Sequence, residues 1–218
     1  MARIVDLTHP FGDGTITYPG LPGPVVSEHL SREASRERYA PGTEFLIGRI
    51  DMVGNTGTYL DTPFHRYPDG TDLATTPLER MVELDGLVVD ATGRPSADVD
   101  LFEGVGVAGR AVLVRTGWSR NWGTEAYLSG HPFLTAAAAE LLAARHAALV
   151  GIDSLNIDST ETGERPAHSM LLAAAIPIVE HLTGLEELPP EGFRFSAAPA
   201  PVAGFGTFPV RAYAVLDA

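Results

Sequence analysis

The sequence predicts a mixed α/β fold, a mixed β-sheet flanked by helices, and three observations carry that expectation. Leu87 to Asp90, Ala111 to Arg115 and Ala148 to Asp153 are apolar runs of the length of buried strands. Thr135 to Arg145 is Ala/Leu-rich and His168 to Ala175 is largely apolar, and both read as helices. Strand-like and helix-like segments alternate along the chain instead of separating into blocks. With 218 residues and no sharp change of composition, one domain over residues 1–218 is expected.

Taken in order, Arg3 to Leu7 reads as a first strand and the Gly/Pro-rich stretch Pro10 to Pro24 as loop and turn. Val25 to Leu30 and Glu44 to Met52 mix β-branched and apolar residues with polar ones, which suits strands. The charged stretch between them, Ser31 to Gly42, reads as an exposed loop or flap. Gly54 to Gly70 is dense in Gly, Asn, Thr, Pro and Asp and reads as irregular backbone. Thr76-Pro77-Leu78-Glu79 carries a helix-start pattern, with a capping Thr, Pro in the first turn and an acid after it. Ile176 to Val179 leads into a strand or turn, Phe193 to Ala198 and Val210 to Leu216 close the chain as strands, and Gly204-Phe205-Gly206 marks a hairpin turn.

Composition excludes several classes of function. The net charge is −13, with 15 basic residues against 28 acidic ones and no basic run, which argues against nucleic acid and against an anionic membrane surface as partners. No stretch is long and apolar enough to span a bilayer. There is no cysteine, so disulfides, thiolate nucleophiles and Cys-based zinc sites are out. Together with an N-terminus that lacks an apolar leader, this suits a cytoplasmic protein acting on a small molecule.

The chemistry concentrates in Gly54-Asn55-Thr56-Gly57-Thr58-Tyr59-Leu60-Asp61-Thr62-Pro63-Phe64-His65, which brings a carboxamide, a phenol, a carboxylate and an imidazole into one short segment. Residue by residue it resembles the His-x-Gly-Thr-His-x-Asp-x-Pro-x-His signature of the cyclase family, which includes bacterial kynurenine formamidases and isatin hydrolase. Gly57, Thr58, Asp61, Pro63 and His65 match, while Asn55 and Tyr59 stand where that signature has its first two histidines. The resemblance continues through Asp6-Leu7-Thr8-His9-Pro10, Tyr18-Pro19-Gly20, Gly151-Ile152-Asp153 to Asp158, His168-Ser169-Met170-Leu171-Leu172, Ile176 to Glu180 and Pro209-Val210-Arg211-Ala212.

The resemblance implies a swivelling β/β/α type of fold and a homodimer or homotetramer whose N-terminal segment reaches a neighbour's site. It implies metal-dependent hydrolysis of a small aromatic or cyclic amide, arylformamidase-like. Asp61, His168 and Glu180 are the implied metal ligands, His65 the acid/base, and Tyr59 a further catalytic group able to donate to an oxyanion. Asn55 and a phenol that must first lose a proton are poor ligands, so one divalent ion, Zn²⁺ or Mn²⁺, or none is expected. Asn55, Phe64, Trp118 and Tyr18 are candidates to line the substrate pocket. A cyclase or dehydratase with little or no metal dependence, and a non-catalytic family member, are the alternatives. His9, Asp153 and Asp158 read first as turn, core or capping residues.

Overall fold

The computed structural model describes residues 2–216. In chain order its strands are β1 (Arg3–Asp6), β2 (Val25–Leu30), β3 (Ile47–Asp51), β4 (Tyr59–Asp61), β5 (Leu84–Asp90), β6 (Ser96–Ala97), β7 (Ala111–Arg115), β8 (Phe133–Leu134), β9 (Leu149–Ile152), β10 (Ile178–Glu180), β11 (Glu191–Ser196), β12 (Thr207–Pro209) and β13 (Tyr213–Leu216). The α-helices are α1 (Arg32–Ser35), α2 (Ala136–Ala144) and α3 (Pro166–Ala173).

Nine strands form one mixed sheet in the order β1-β13-β11-β5-β7-β9-β10-β4-β12. The centre, β5-β7-β9-β10, is parallel, and the strands outside it are antiparallel to their neighbours. Side chains alternate across the central strands and so build two cores. Val112, Val114, Val150, Ile152 and Ile178 pack beneath α2 and α3 with Leu142, Leu171 and Leu172. Ala111, Leu113, Leu149 and Val179 face the other way, against Leu7, Leu60, Leu182 and Phe195. This is the mixed sheet flanked by helices that the sequence predicts, with only α2 and α3 covering it among the described residues.

Three expectations are corrected. The segment 54–70 is not irregular throughout, because Tyr59–Asp61 is a strand held on one side by β10 and on the other by β12. The start pattern at Thr76 yields only a single 3₁₀ turn, Leu78–Arg80, since the Thr76 hydroxyl donates to Thr71 Oγ1 and caps nothing. The stretch 31–42 contains α1, capped by Ser31 Oγ, which accepts from the Ala34 amide. Apart from the main sheet, β2 and β3 pair as a hairpin arm, and Leu30 is the one residue of its two strands that is buried.

Candidate active site

The sheet order explains why residues far apart in sequence meet. β4 lies antiparallel beside β10 with Tyr59 opposite Glu180 and Asp61 opposite Ile178, while α3 packs over the same end of the sheet. His168, on α3, places its Nε2 3.6 Å from Asp61 Oδ2 and 3.7 Å from Glu180 Oε1. Asp158 accepts from the Ala167 and His168 amides, at 2.7 and 3.0 Å, and so caps α3 in place of the missing intrahelical partners. The same carboxylate accepts from His168 Nδ1 at 2.7 Å, which puts the proton on Nδ1 and turns Nε2 toward Asp61 and Glu180.

His65 comes from the 3₁₀ turn Pro63–His65 directly after β4. The Thr207 hydroxyl, on β12, donates to Asp61 Oδ1 and lies 2.7 Å from His65 Nδ1. A hydroxyl has one proton, so His65 Nδ1 must be the donor to Thr207, which in the neutral imidazole leaves the lone pair on Nε2. The close approach of this turn requires Gly206, where a Cβ would overlap the backbone of His65. Asp61, His65 and His168 offer ligand atoms that all lie within 4.8 Å of one another.

Tyr59 and Glu180 are coupled across the two strands. The Tyr59 phenol donates to Glu180 Oε2 at 2.6 Å, and the Ile157 amide donates to Oε1 at 2.6 Å. Burial, then Glu180 and Asp61, hold the phenol protonated far above its ordinary range. Tyr59 is therefore a neutral donor and no phenolate ligand. Its one proton is engaged by Glu180, so the oxyanion-donor role expected of it is corrected: Tyr59 positions Glu180. Burial and Asp61 push the Glu180 carboxyl up, against the pull of His168. Burial would drive His168 toward its neutral form, but Glu180, Asp158 and Asp61 outweigh it and raise the imidazole.

These groups form one wall of a cavity of about 590 Å³, a size suited to a small organic ligand. Asn55, Tyr59, His65, His168, Glu180 and Tyr18 all line it. Phe64 and Trp118 do not, and their assignment to the pocket is corrected. In a 3₁₀ turn neighbouring side chains diverge by about a third of a circle, so Phe64 points away when His65 points in. The Trp118 indole donates to the Tyr127 carbonyl at 3.0 Å, which turns it toward the 3₁₀ segment Glu125–Leu128. Four participants had no assigned part in the sequence reading or only a minor one: Thr207, Asp158, Arg66 and Arg165. Asp153 caps a turn by accepting from Thr116 and Gly117. His9 stacks on Trp122, with ring centroids 4.3 Å apart.

Whether these residues suit a metal can be tested on Asp61. Its Oδ2 is fully buried and has no hydrogen-bond partner among the described residues, an arrangement that is costly for a carboxylate oxygen. It faces an imidazole nitrogen whose other nitrogen is fixed by a carboxylate, the usual support of a metal-binding histidine. The donor set is one imidazole with two carboxylates, and a second imidazole is adjacent. That set fits a divalent ion of the zinc or manganese kind.

Fold and site together define an α/β protein with a histidine–carboxylate centre in the wall of a small-molecule cavity. Residues 5–159 match the model of the Cyclase family, and the chain belongs to that family. Over 216 residues it is 26% identical to the kynurenine formamidase of Bacillus cytotoxicus, with 95% of each chain covered. It is 25% identical over 214 residues to that of Bacillus cereus, again covering 95% of each chain. Among solved structures, an isatin hydrolase bound to the product analogue thioisatinate superposes with a TM-score of 0.84 at 23% identity, covering all of this chain and 93% of the other, a likeness of fold. A potential metal-dependent hydrolase with cyclase activity superposes with a TM-score of 0.80 at 26% identity over the full length of both chains.

Proposed function

We propose that this chain is a metal-dependent hydrolase of the C–N bond in a small aromatic or cyclic amide, arylformamidase-like. The observation that carries the reading is the meeting of Asp61, His168 and Glu180 around the unpartnered Asp61 Oδ2, beside His65 in one cavity. Asp61, His168 and Glu180 would hold the ion, which supplies Lewis acidity toward a carbonyl and lowers the pKa of water. His65 Nε2, kept free by Thr207 on the other nitrogen, accepts the proton of the attacking water and returns it to the leaving amine nitrogen. Asn55, at the cavity wall, offers amide N–H groups to the developing oxyanion. Tyr59 fixes the rotamer of Glu180, and Asp158 that of His168.

The competing reading is a cyclase or dehydratase that needs no metal, in which the His168 imidazolium is the site's own cation between Asp61, Asp158 and Glu180. Metal analysis of protein purified without chelator separates the two, with about one Zn²⁺ or Mn²⁺ per chain expected. Hydrolysis of N-formylkynurenine or a simpler formanilide should follow metal content and fall about 10²- to 10⁴-fold in His65→Ala. Metal-free protein with full turnover, or a His65→Ala variant with undiminished turnover, overturns the proposal.

We also propose that a second copy of this chain is the partner. The β2–β3 arm and the segment leading into it expose Val25, Val26, Phe45, Leu46, Ile47 and Ile50, an apolar surface that a lone hairpin cannot bury. Sedimentation velocity should give the mass of a dimer or tetramer, and a monomer at micromolar concentration rejects the proposal.

A further inference from the structure

Between β9 and α3 the chain runs as a loop, and two successive residues in it support two of the three proposed metal ligands. The Ile157 amide donates to Glu180 Oε1 at 2.6 Å, and the Asp158 carboxylate accepts from His168 Nδ1 at 2.7 Å. The residue before them, Asn156, shapes this stretch. Its Oδ1 accepts from the Asp158 amide at 2.9 Å, two residues on, and closes an Asx turn around Ile157. The atom facing an N–H donor must be the oxygen, so the orientation of the carboxamide is fixed by the bond.

Asn156 is 7% exposed and Asp158 1%, so water is largely excluded from the turn. The Asp158 amide has no other acceptor among the described residues. Without Asn156 Oδ1 it would be a buried donor with no partner, and relief would require the peptide to rotate. That rotation would turn the Asp158 carboxylate away from His168. It would also disturb the preceding peptide unit, whose N–H serves Glu180. Ile157 has an anchor of its own: its side chain lies in the core with Leu171, and its carbonyl accepts from the Leu134 amide at 2.8 Å. This anchor fixes the middle of the turn and leaves the direction of the Asp158 carboxylate to Asn156. The residue type matters as well. An aspartate would accept the same N–H but would bring another negative charge beside Asp158 and Glu180, whereas the carboxamide adds none.

We infer that Asn156 is a positioning residue for the metal centre. Through the turn it closes, it holds Asp158 on His168 and the Ile157 amide on Glu180, and so sets how tightly these ligands bind an ion. This rests on the metal-dependent reading above and adds to it a residue that is not itself a ligand.

Two measurements test it. In chelator-treated protein, where no ion contributes, Asn156→Ala should speed hydrogen exchange of the Ile157 and Asp158 amides about tenfold or more, with the β7 and β9 amides still protected. Asn156→Ser, whose hydroxyl can close the same turn, should restore most of that protection. Zn²⁺ is then titrated calorimetrically into the full chain. Asn156→Ala should weaken binding about 10- to 100-fold, as the loss of outer support for a metal ligand does, while Asn156→Ser stays close to the parent. Asn156→Gln, which keeps the carboxamide but displaces its oxygen by a methylene, gives a second reading with the same loss expected. Unchanged zinc affinity in the Ala and Gln variants overturns the inference, since the Ile157 anchor would then suffice. Equal losses in the Ala and Ser variants also overturn it, because the turn would not be the cause. A parent protein without zinc affinity removes the hydrolase reading and this inference with it, a result distinct from both of those.

Discussion

His168 and His181 are both buried imidazoles near the same end of the sheet, and their surroundings treat them in opposite ways. Around His181 the neighbours are rings: the Tyr127 hydroxyl lies 2.8 Å from Nδ1, and the Tyr59 and Trp122 rings are 5.1 and 5.7 Å away. Burial, with lesser effects of His9 and His131, pushes it down to about 3, so it is neutral. His168 is buried almost as deeply but faces Glu180, Asp158 and Asp61, and it is raised. Burial sets the same default for both; the carboxylates alone reverse it. Of the two, only the histidine with carboxylates faces the cavity.

Paired substitutions give the largest test of that contrast. His168→Ala leaves Asp61, Asp158 and Glu180 buried without a cation and should cost about 3–5 kcal/mol in denaturant unfolding. It should also abolish stoichiometric metal binding. His181→Phe keeps the aromatic packing but leaves the Tyr127 hydroxyl without its hydrogen-bond partner, a loss of about 1–3 kcal/mol with metal content unchanged. If the His181 variant is the more destabilised, or the one that loses metal, the contrast is false.

The same contrast shows what the sequence could disclose. β2 and β7 fall on the residues expected of them, because alternation and a short β-branched run are local signals. β4 was hidden: three residues among glycine, threonine and asparagine become a strand only through β10 and β12, which arrive from more than a hundred residues away. Asp61, His65, His168 and Glu180 were legible from the motif they share with the family. Thr207 was not, since a lone threonine after a glycine-rich turn carries no signal until the turn is seen against His65. Asp158 was visible as a capping candidate, but its bond to His168 depends on how α3 starts. Phe64 and Trp118 were misplaced because aromatic identity says nothing of direction.

The smallest expected effect concerns the ring side of the comparison and is read in pH. His9 is 8% exposed and stacks flat on Trp122, and burial lowers its pKa from 6.5 to about 4. Its backbone amide donates to Thr58 Oγ1, and the titratable group facing it is the neutral His181. In the unfolded chain His9 takes a proton below about 6.5, while in the folded chain it does so only near 4. Between those values the unfolded state binds more protons, so the stability that neutral His9 contributes is complete above 6.5 and declines as pH falls toward 4. His9→Phe keeps a flat ring on Trp122 and removes the proton site. Its unfolding free energy, measured across this window, should therefore fall less steeply with acidification than that of the parent protein. Parallel profiles would mean that His9 is protonated in the folded protein, and that burial among rings does not by itself keep an imidazole neutral here.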